Sequence, residues 1–369
     1  MPNAITNSVI ADQHDWATYD GDNSTDNTSL PIDMRFNDGH RLQIMVYSTL
    51  MLISAIGNLT VLTMLIKRRK PGSSRIEIML THLAIADLLV TFLLMPLEIG
   101  WAATVSWKAG DLMCRVMSFF RVFGLYLSSF ILVCISIDRY FAVLKPLSLS
   151  ENRGKIMIAV AWFLSCVCST PQIFIFHLET HPNVTWYEQC VSYNIFENPR
   201  HETYYVFFGM FMMYAVPLTV VIFSYSSIYF EIFRRTRISN IDRFRRSSVE
   251  VLSRAKRRTL RMSFTIVLVF VVCWTPFYVM SIWYMLDRVG ASAVDQRIQK
   301  CLFLFACTNS CMNPIVYGVY NIRNDRKNMS SQYGQNSKKM IRSRDSSRTI
   351  CISMNFSSCG DSIEIPIQK

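Results

Sequence analysis

Three polar side chains, Asn58, Asp87 and Asn313, interrupt stretches that are otherwise almost wholly apolar. Such groups are costly in an apolar medium, and they usually either serve a function or satisfy one another. A carboxylate near two amides binds water and small cations, and it exchanges hydrogen bonds when its surroundings move. Two interpretations stay open: a hydrated hub that repacks in a conformational change, with a sodium site near Asp87, or a satisfied structural cluster.

A second constellation is the adjacent acid and base Asp138 and Arg139, followed by Tyr140. A lone arginine at the end of an apolar stretch often extends its guanidinium to lipid headgroups. Here a carboxylate is adjacent, and the sequence has no other charged side chain between Arg121 and Asp138. Both facts favour a specific ion pair.

The elements that position these groups are seven apolar stretches separated by short polar segments. Each stretch is long enough to cross a hydrocarbon core of ~30 Å, which takes about 20 helical residues. The sequence predicts an all-α membrane protein: a seven-transmembrane helix bundle at 42–319, an extracellular tail at 1–41, and a cytoplasmic tail at 320–369 that begins with a short helix. The predicted spans, numbered one to seven, are 42–66, 76–101, 111–144, 154–176, 203–233, 254–287 and 294–319.

Positively charged residues set the orientation of the bundle. Lys and Arg number 38 against 26 Asp and Glu, and they concentrate at 67–75, after span one, and at 234–261, between spans five and six. The segment 1–41 is acidic instead. We therefore expect a multi-pass plasma-membrane protein with its N-terminus outside. The basic segments contact either anionic membrane lipids or a cytoplasmic protein; their position between spans argues against nucleic-acid binding.

Most of the 11 cysteines lie within spans, where a thiol behaves as a small apolar side chain. Cys114 opens span three on the outer side, and Cys190 lies in the outer segment before span five. Because that compartment is oxidising, these two are able to form a disulfide. Cys301, near the outer end of span seven, is the remaining candidate. Glycosylation sequons on the outer side begin at Asn23, Asn27 and Asn183.

Two opposite charges, Glu98 and Arg121, are predicted at similar depth in the outer third of the bundle. Glu98 lies ~16 Å beyond Asp87 along span two, and Arg121 lies ~10 Å below Cys114 along span three. They form either a structural ion pair that ties two helices or a polar anchor for a ligand. Spans six and seven contribute aromatic side chains near this depth. They form either the apolar walls of a ligand pocket around the two charges or ordinary packing and interface contacts. They are Phe277, Tyr278, Trp283, Tyr284 and Phe303.

Five of the spans contain a proline, which removes a backbone donor and bends a helix. A single kink is weak evidence, but five beside aromatic and amide side chains exceed what packing requires. We expect these kinks to open space on one side of a helix and to act as levers on the other. The prolines are Pro96, Pro171, Pro217, Pro276 and Pro314.

The ordered set of short motifs in these spans resembles that of the rhodopsin-like G-protein-coupled receptors. The motifs occur once each, in order and in the corresponding spans, over about residues 42–329. Each alone is weak, whereas the ordered set is highly specific. They are Gly57-Asn58, Leu83-Ala84-Ile85-Ala86-Asp87, Asp138-Arg139-Tyr140, Trp162, Pro217 with Tyr225, Cys273-Trp274-Thr275-Pro276 and Asn313-Pro314-Ile315-Val316-Tyr317.

The resemblance implies roles in the outer half and the centre of the bundle. Cys114 and Cys190 look like the family's disulfide from span three to the second outer loop. Trp274 looks like the aromatic toggle above Pro276. The full set implied for activation and G-protein contact is Asn58, Asp87, Asp138, Arg139, Tyr140, Tyr225, Pro276, Asn313, Pro314 and Tyr317.

On the inner face, the resemblance makes Arg139 the arginine that engages a heterotrimeric G protein, and Tyr225 and Tyr317 the tyrosines that stabilise the active state. Many family members hold that arginine inactive with an acid at the inner end of span six, where this chain has Lys256. We therefore expect Asp138 alone to restrain Arg139, and the receptor to show measurable activity without ligand.

Single residues or missing sequence patterns argue against several ligand classes and protein classes. An amine receptor of this family carries a carboxylate where this chain has Arg121, and an opsin carries a lysine where it has Cys307. A membrane transporter, the distant alternative, usually shows internal repeats, and the sequence shows none. It also contains no metal-ligand pair, nucleophile elbow or phosphate loop, so we expect neither an enzyme nor a cofactor.

Longer runs resemble the insect adipokinetic hormone receptors, a group similar to the gonadotropin-releasing hormone and corazonin receptors; the runs are 79–92, 95–101, 107–111, 123–130 and 273–279. The resemblance implies an extracellular peptide hormone with pyroglutamate and amide ends, bound around Glu98 and Arg121 with Tyr284 at the rim. It also implies Gs and/or Gq coupling that raises cyclic AMP or calcium and mobilises energy stores. A corazonin-like or gonadotropin-releasing hormone-like peptide is the alternative. The predicted ligand-binding set is Glu98, Arg121, Gln172, Trp274, Phe277, Tyr278, Tyr284 and Phe303.

The segment after Tyr320 is polar, and its low hydrophobicity predicts disorder. Phosphorylation of serines such as Ser343, Ser346 and Ser347 by a receptor kinase would reverse the local charge and recruit arrestin. An unmodified, solvated tail is the alternative interpretation.

Overall fold

The computed structural model describes residues 34–68, 75–145, 151–182, 184–192, 195–196, 198–239, 247–287, 290 and 296–320, without the side chains of 68, 151, 199, 235–258, 296 and 297. Within them, seven helices are long and apolar enough to cross a membrane, which confirms the predicted bundle. Their bounds differ from the predicted ones by a few residues. Spans one to seven are Asp38–Lys67, Arg75–Thr104, Gly110–Leu144, Asn152–Ile175, Arg200–Arg234, Thr259–Leu286 and Ile298–Tyr320.

Several spans are built from more than one continuous helix. Two of them contain a π-helical turn, Val90–Leu94 in span two and Phe211–Ala215 in span five. Span seven turns at Thr308 and is helical again over 309–320. The α-helices are Asp38–Arg68, Arg75–Leu89, Met95–Thr104, Gly110–Leu144, Glu151–Ser169, Pro171–Ile175, Pro199–Met210, Val216–Ser239, Ser247–Leu286 and Gln296–Cys307.

Prolines explain most of these interruptions. The π-helical turns end just before Pro96 and Pro217, and a new helix begins at Pro171. A proline ring collides with the carbonyl four residues earlier, and an inserted residue relieves that collision by widening the turn. Pro276 instead lies inside a continuous helix. The helix is therefore interrupted at or near Pro96, Pro171 and Pro217 but not at Pro276, and the sequence pattern alone does not specify the form of each interruption.

Span three is the central helix of the bundle and packs against spans two, four and five. Close approach between spans depends on two glycines. An added Cβ at Gly57 would lie 2.7 Å from Cγ of Pro314, and one at Gly124 would lie 2.9 Å from Cγ2 of Val90. A side chain at either position would push apart spans one and seven, or two and three.

The outer segment between spans four and five forms a β-hairpin, which the sequence analysis did not predict. Strand β1 (His177–His181) pairs antiparallel with β2 (Val184–Val191), with Leu178 opposite Cys190. The register is irregular at Thr180 and His181. The hairpin presents a fixed surface above the bundle instead of an extended loop.

Some predictions fall outside the described residues. They concern the glycosylation sites Asn23, Asn27 and Asn183, the side chain of Lys256, and the tail after residue 320 with its short helix and phosphorylation sites. All contacts described below lie within residues 34–317.

Candidate functional site

The centre of the outer site is a buried ion pair between spans two and three. Nη2 of Arg121 lies 2.5 Å from Oε1 of Glu98, and both side chains are 6% exposed. The helical arithmetic, which placed these two charges at similar depth, is therefore correct. Gln43 of span one also donates to Oε2 of Glu98 at 3.4 Å, a contact that the sequence analysis missed.

Aromatic rings surround this ion pair on the side of spans six and seven. The Arg121 guanidinium lies 5.9 Å from the centre of the Phe303 ring, and Phe303 lies 5.6 Å from Phe277. Trp274 contacts both Phe277 and Tyr278. Four of the predicted ligand-binding aromatics are thus brought into one cluster beside the charges.

A buried hydroxyl at the back of this cluster has an unused hydrogen-bonding capacity. Tyr278 stacks on Tyr214 with ring centres 4.5 Å apart, and its hydroxyl is buried without a hydrogen-bond partner among the described residues. Tyr214 hydrogen-bonds Thr275 at 2.5 Å. Because a buried unpaired hydroxyl is unfavourable, a ligand group or water that bonds Tyr278 would lower the free energy of the site.

The two other predicted ligand-binding residues lie at the edges. Gln172 is buried at the outer end of span four and donates to the hydroxyl of Tyr205 in span five. Tyr284 is partly buried and lies six residues beyond Tyr278 along span six. Gln172 therefore has a visible role in joining spans four and five.

The hairpin is fixed to the bundle by a disulfide and by hydrogen bonds. Cys114 and Cys190 are bonded, with 5.5 Å between their Cα atoms, as predicted. The backbone N–H of Trp107 donates to the carbonyl of Glu188 at 2.7 Å, and the N–H of Leu178 donates to Asp111 at 2.9 Å. The hairpin above the outer site is thus attached to the outer ends of spans two and three.

In the middle of the bundle, Asp87 is completely buried and accepts two hydrogen bonds. Nδ2 of Asn313 donates to it at 2.8 Å, and the hydroxyl of Ser128 donates at 3.2 Å. Asn58 does not reach this carboxylate: its amide donates to the carbonyls of Ser54 and Ser310, each at 3.0 Å. The predicted three-residue hub is therefore a carboxylate–amide pair with a neighbouring, backbone-linked amide.

The predicted sodium site near Asp87 has a suitable oxygen atom besides the carboxylate. Oδ1 of Asn313, whose Nδ2 donates to Asp87, is buried without a hydrogen-bond donor among the described residues, and hard cations prefer oxygen ligands of this kind. Among the same residues, no group of three or more His, Cys, Asp or Glu side chains surrounds a metal position. The sodium site stays a prediction.

Two backbone carbonyls that lack a helical partner because of a proline accept hydrogen bonds from neighbouring spans. Pro314 has no N–H for the carbonyl of Ser310, four residues earlier, and Asn58 of span one donates to that carbonyl instead. In the same way Pro217 has none for Met213, whose carbonyl accepts from Ser129 of span three at 2.7 Å. Two prolines therefore create acceptors that tie span seven to span one and span five to span three.

At the inner end, Asp138 pairs with two arginines. It accepts a hydrogen bond from Arg139, as predicted, and its Oδ1 also lies 3.4 Å from Nε of Arg75 in span two. The Asp138 side chain is 2% exposed. Arg75 packs against the backbone of span four, since a Cβ at Gly154 would lie 3.6 Å from its Cδ. The second cation, Arg75, is a partner of Asp138 that the sequence analysis missed, and the expectation that Asp138 alone restrains Arg139 stays a prediction.

The other residues predicted for the inner face lie on three spans. Tyr140 contacts Phe223 with ring centres 5.8 Å apart, and Tyr225 contacts Phe264 at 5.5 Å. Tyr317 is buried in span seven. Their proposed roles in an active state stay predictions.

Comparison with known proteins agrees with this geometry. A family model, 7 transmembrane receptor (rhodopsin family), matches residues 57–317. The gonadotropin-releasing hormone receptor of Mus musculus is 35% identical over 295 residues, which cover 76% of this chain and 89% of that receptor. The receptor of the same name from Homo sapiens is 33% identical over 296 residues with the same coverage. The gonadotropin-releasing hormone II receptor of Clarias gariepinus is 34% identical over 292 residues, 77% of both chains.

The match extends from Gly57 to Tyr317 and therefore includes all the motifs that resembled the family, together with the outer disulfide and the ion pair of spans two and three. The chain belongs to the rhodopsin family of seven-transmembrane, G-protein-coupled receptors of the plasma membrane, and it is not an enzyme.

Proposed function

We propose that this receptor is activated by a short, blocked neuropeptide of the adipokinetic hormone type. The buried pair of Glu98 and Arg121 carries the proposal. A carboxylate and a guanidinium in the outer part of the bundle offer both an acceptor and donors to the amides of a peptide. Because the pair is nearly neutral as a whole, it suits a ligand that has no terminal charges.

The surrounding cluster supports a peptide with aromatic side chains. The rings of Trp274, Phe277 and Phe303 form an apolar wall beside Arg121, and apolar walls with a few polar groups are typical of ligand sites. Tyr278 adds the unused hydroxyl described above. Binding would therefore depend on aromatic burial and a few hydrogen bonds, with Gln172 and Tyr284 at the margins.

We further propose coupling to Gs and/or Gq proteins, so that the peptide raises cyclic AMP or calcium and mobilises energy stores. Arg139, Tyr140, Tyr225 and Tyr317 are the proposed inner contacts. The cytoplasmic tail would be phosphorylated by a receptor kinase and bind arrestin. The outer tail, with Asn23 and Asn27, and the hairpin with Asn183 would carry glycans.

A peptide of the gonadotropin-releasing hormone or corazonin type is the second candidate. The relatives named above are gonadotropin-releasing hormone receptors at 33–35% identity, which supports this candidate.

One experiment separates these candidates. Cells that express the full chain with calcium and cyclic AMP reporters receive synthetic adipokinetic, corazonin and gonadotropin-releasing hormone peptides side by side, with untransfected cells as the control. We expect the adipokinetic peptides to act at the lowest concentration. A lower effective concentration for one of the other peptides would favour that class. Silence toward all three at confirmed surface expression would contradict a receptor for this group of peptides.

Replacing Cys114 with serine is expected to abolish binding of a labelled adipokinetic hormone-type peptide at the cell surface. Loss of a native disulfide typically lowers folding stability by about 2–5 kcal/mol. Without this disulfide, the hairpin is no longer covalently attached to span three. The matched control is Cys166→Ser, which changes a free, exposed cysteine of span four. Binding of Cys114→Ser cells equal to that of wild-type cells, at equal surface expression, would show that the disulfide is not needed for the site.

A further inference from the structure

The side chain of Gln189 in β2 connects the hairpin to the end of span two. Its Nε2 donates to the carbonyl of Val105 at 2.7 Å, and its Oε1 accepts from Nε1 of Trp101 at 2.7 Å. An indole is only a donor and a carbonyl only an acceptor, so these partners fix the orientation of the amide. Gln189 is adjacent to Cys190 and is therefore held in place by the disulfide.

One of these partners is a strained backbone position. Val105 directly follows the last residue of span two and has a φ of 60°, a conformation that β-branched residues rarely adopt. Such strain persists only where surrounding contacts hold it. The N–H of Val105 donates to the carbonyl of Trp101 at 3.0 Å, and its own carbonyl is held by Gln189. The side chain of Gln189 therefore forms hydrogen bonds both with the strained turn at Val105 and with the indole of Trp101.

The other partner, Trp101, faces the ion pair. The Arg121 guanidinium lies 5.6 Å from the centre of the Trp101 ring, within the range of a cation–π contact. On its other side, Trp101 makes an edge contact with Trp107 at 5.2 Å. Glu98 and Trp101 are three residues apart on one helix face. Arg121 is therefore bounded by a carboxylate and by an indole of the same span.

The hairpin does not depend on Gln189 for its position. The disulfide, the Trp107–Glu188 backbone bond and the Leu178–Asp111 bond already attach it. The hydroxyl of Ser106 adds a hydrogen bond to the carbonyl of Glu188 at 3.1 Å. Loss of the Gln189 amide should therefore leave the hairpin attached and change mainly the freedom of the Trp101 ring.

We propose that Gln189 is a positioning residue for Arg121, which it orients through the Trp101 indole, and that the second outer loop sets peptide affinity by this route. The proposal rests on the proposed function, because it assumes that the peptide engages Arg121. Gln189 itself need not touch the peptide.

The test uses a synthetic adipokinetic hormone-type peptide with pyroglutamate and amide ends, and measures potency in a calcium assay together with surface expression. Gln189→Met removes both hydrogen bonds at similar volume, and Trp101→Phe removes the indole N–H while it keeps an aromatic ring. Each is expected to lower potency by roughly three- to tenfold, and the double variant by no more than the larger single loss. The control Thr180→Val changes an exposed side chain of β1 and should keep wild-type potency.

A second comparison, in a receptor that carries Arg121→Lys, distinguishes positioning of Arg121 from a purely structural role of Gln189. Arg121→Lys keeps the charge but loses the planar guanidinium that lies 5.6 Å from the centre of the Trp101 ring. In this background Gln189→Met is expected to lower potency by less than about twofold. A general structural defect would instead cost the same factor in both backgrounds and reduce surface expression.

Three results would overturn the inference while the proposed function stands: wild-type potency of both single variants, additive losses in the double variant, or an equal loss in the Arg121→Lys background. If Gln189→Met fails to reach the surface, Trp101→Phe decides by the same comparison of backgrounds. A wild-type receptor that is silent toward the peptide would overturn the inference and the proposed function together.

Discussion

Replacing Arg121 with alanine is expected to lower the potency of the activating peptide by about 100-fold, because it leaves a buried carboxylate without its cation. Glu98 would keep only the longer bond from Gln43 among the contacts described, and the wall of Trp101 and Phe303 would lose the charge between its rings. The measurement is a calcium concentration–response curve at matched surface expression.

A matched control for this variant exists on the same span. Arg115 pairs with Asp111 at 2.7 Å, but the two side chains are 35% and 48% exposed. Exposed ion pairs contribute about 0–1 kcal/mol, so Arg115→Ala should change potency by less than about fivefold. Unchanged potency of Arg121→Ala would end the proposal that this residue anchors the peptide.

Replacing Arg75 with alanine is expected to reduce both ligand-independent activity and the maximal response by at least about fivefold. We propose that Arg139 leaves Asp138 when the G protein binds. A buried carboxylate without a partner costs about 3–5 kcal/mol, and Arg75 is the second cation that remains beside Asp138. Without Arg75, release of Arg139 becomes more costly and the inactive state is favoured. The measurement is cyclic AMP and calcium with and without peptide.

Three further variants show whether Arg75 favours the active or the inactive state. Arg75→Lys keeps a cation and should retain most of the response, and Lys155→Ala, an exposed base of span four, should have no effect. Asp138→Asn removes the charge that holds Arg139 and should raise ligand-independent activity. Higher basal activity in Arg75→Ala would mean that Arg75 restrains the receptor, contrary to this account.

The bundle was predictable because hydropathy over about 20 residues decides whether a helix spans a membrane. The depth of Glu98 and Arg121 followed from helical rise alone, since both are counted from landmarks on their own spans. The oxidising outer compartment made Cys114 and Cys190 able to pair, with Cys301 as a further candidate, and the resemblance to the family pointed to the Cys114–Cys190 disulfide. The predictions of the spans and of the depth of the two charges therefore depend on local physics, and the prediction of the disulfide depends also on the resemblance.

The missed features depend on which spans are neighbours. Arg75 could be linked to Asp138 only once spans two and three were packed together, and Gln189 to Trp101 only once the hairpin lay above span two. The strands escaped detection because their sequences do not alternate between apolar and polar residues. Asn58 was expected beside Asp87 because both are mid-depth; it bonds the Ser310 carbonyl because Pro314 leaves that carbonyl free.

The most direct test of the central claim, that a peptide is anchored by the buried pair of spans two and three, is a charge exchange. Peptide potency is measured for Glu98→Arg, Arg121→Glu and the double variant at equal surface expression. We predict that the double variant recovers part of the potency that each single variant loses, because opposite charges again face each other. Losses that simply add in the double variant would contradict the claim.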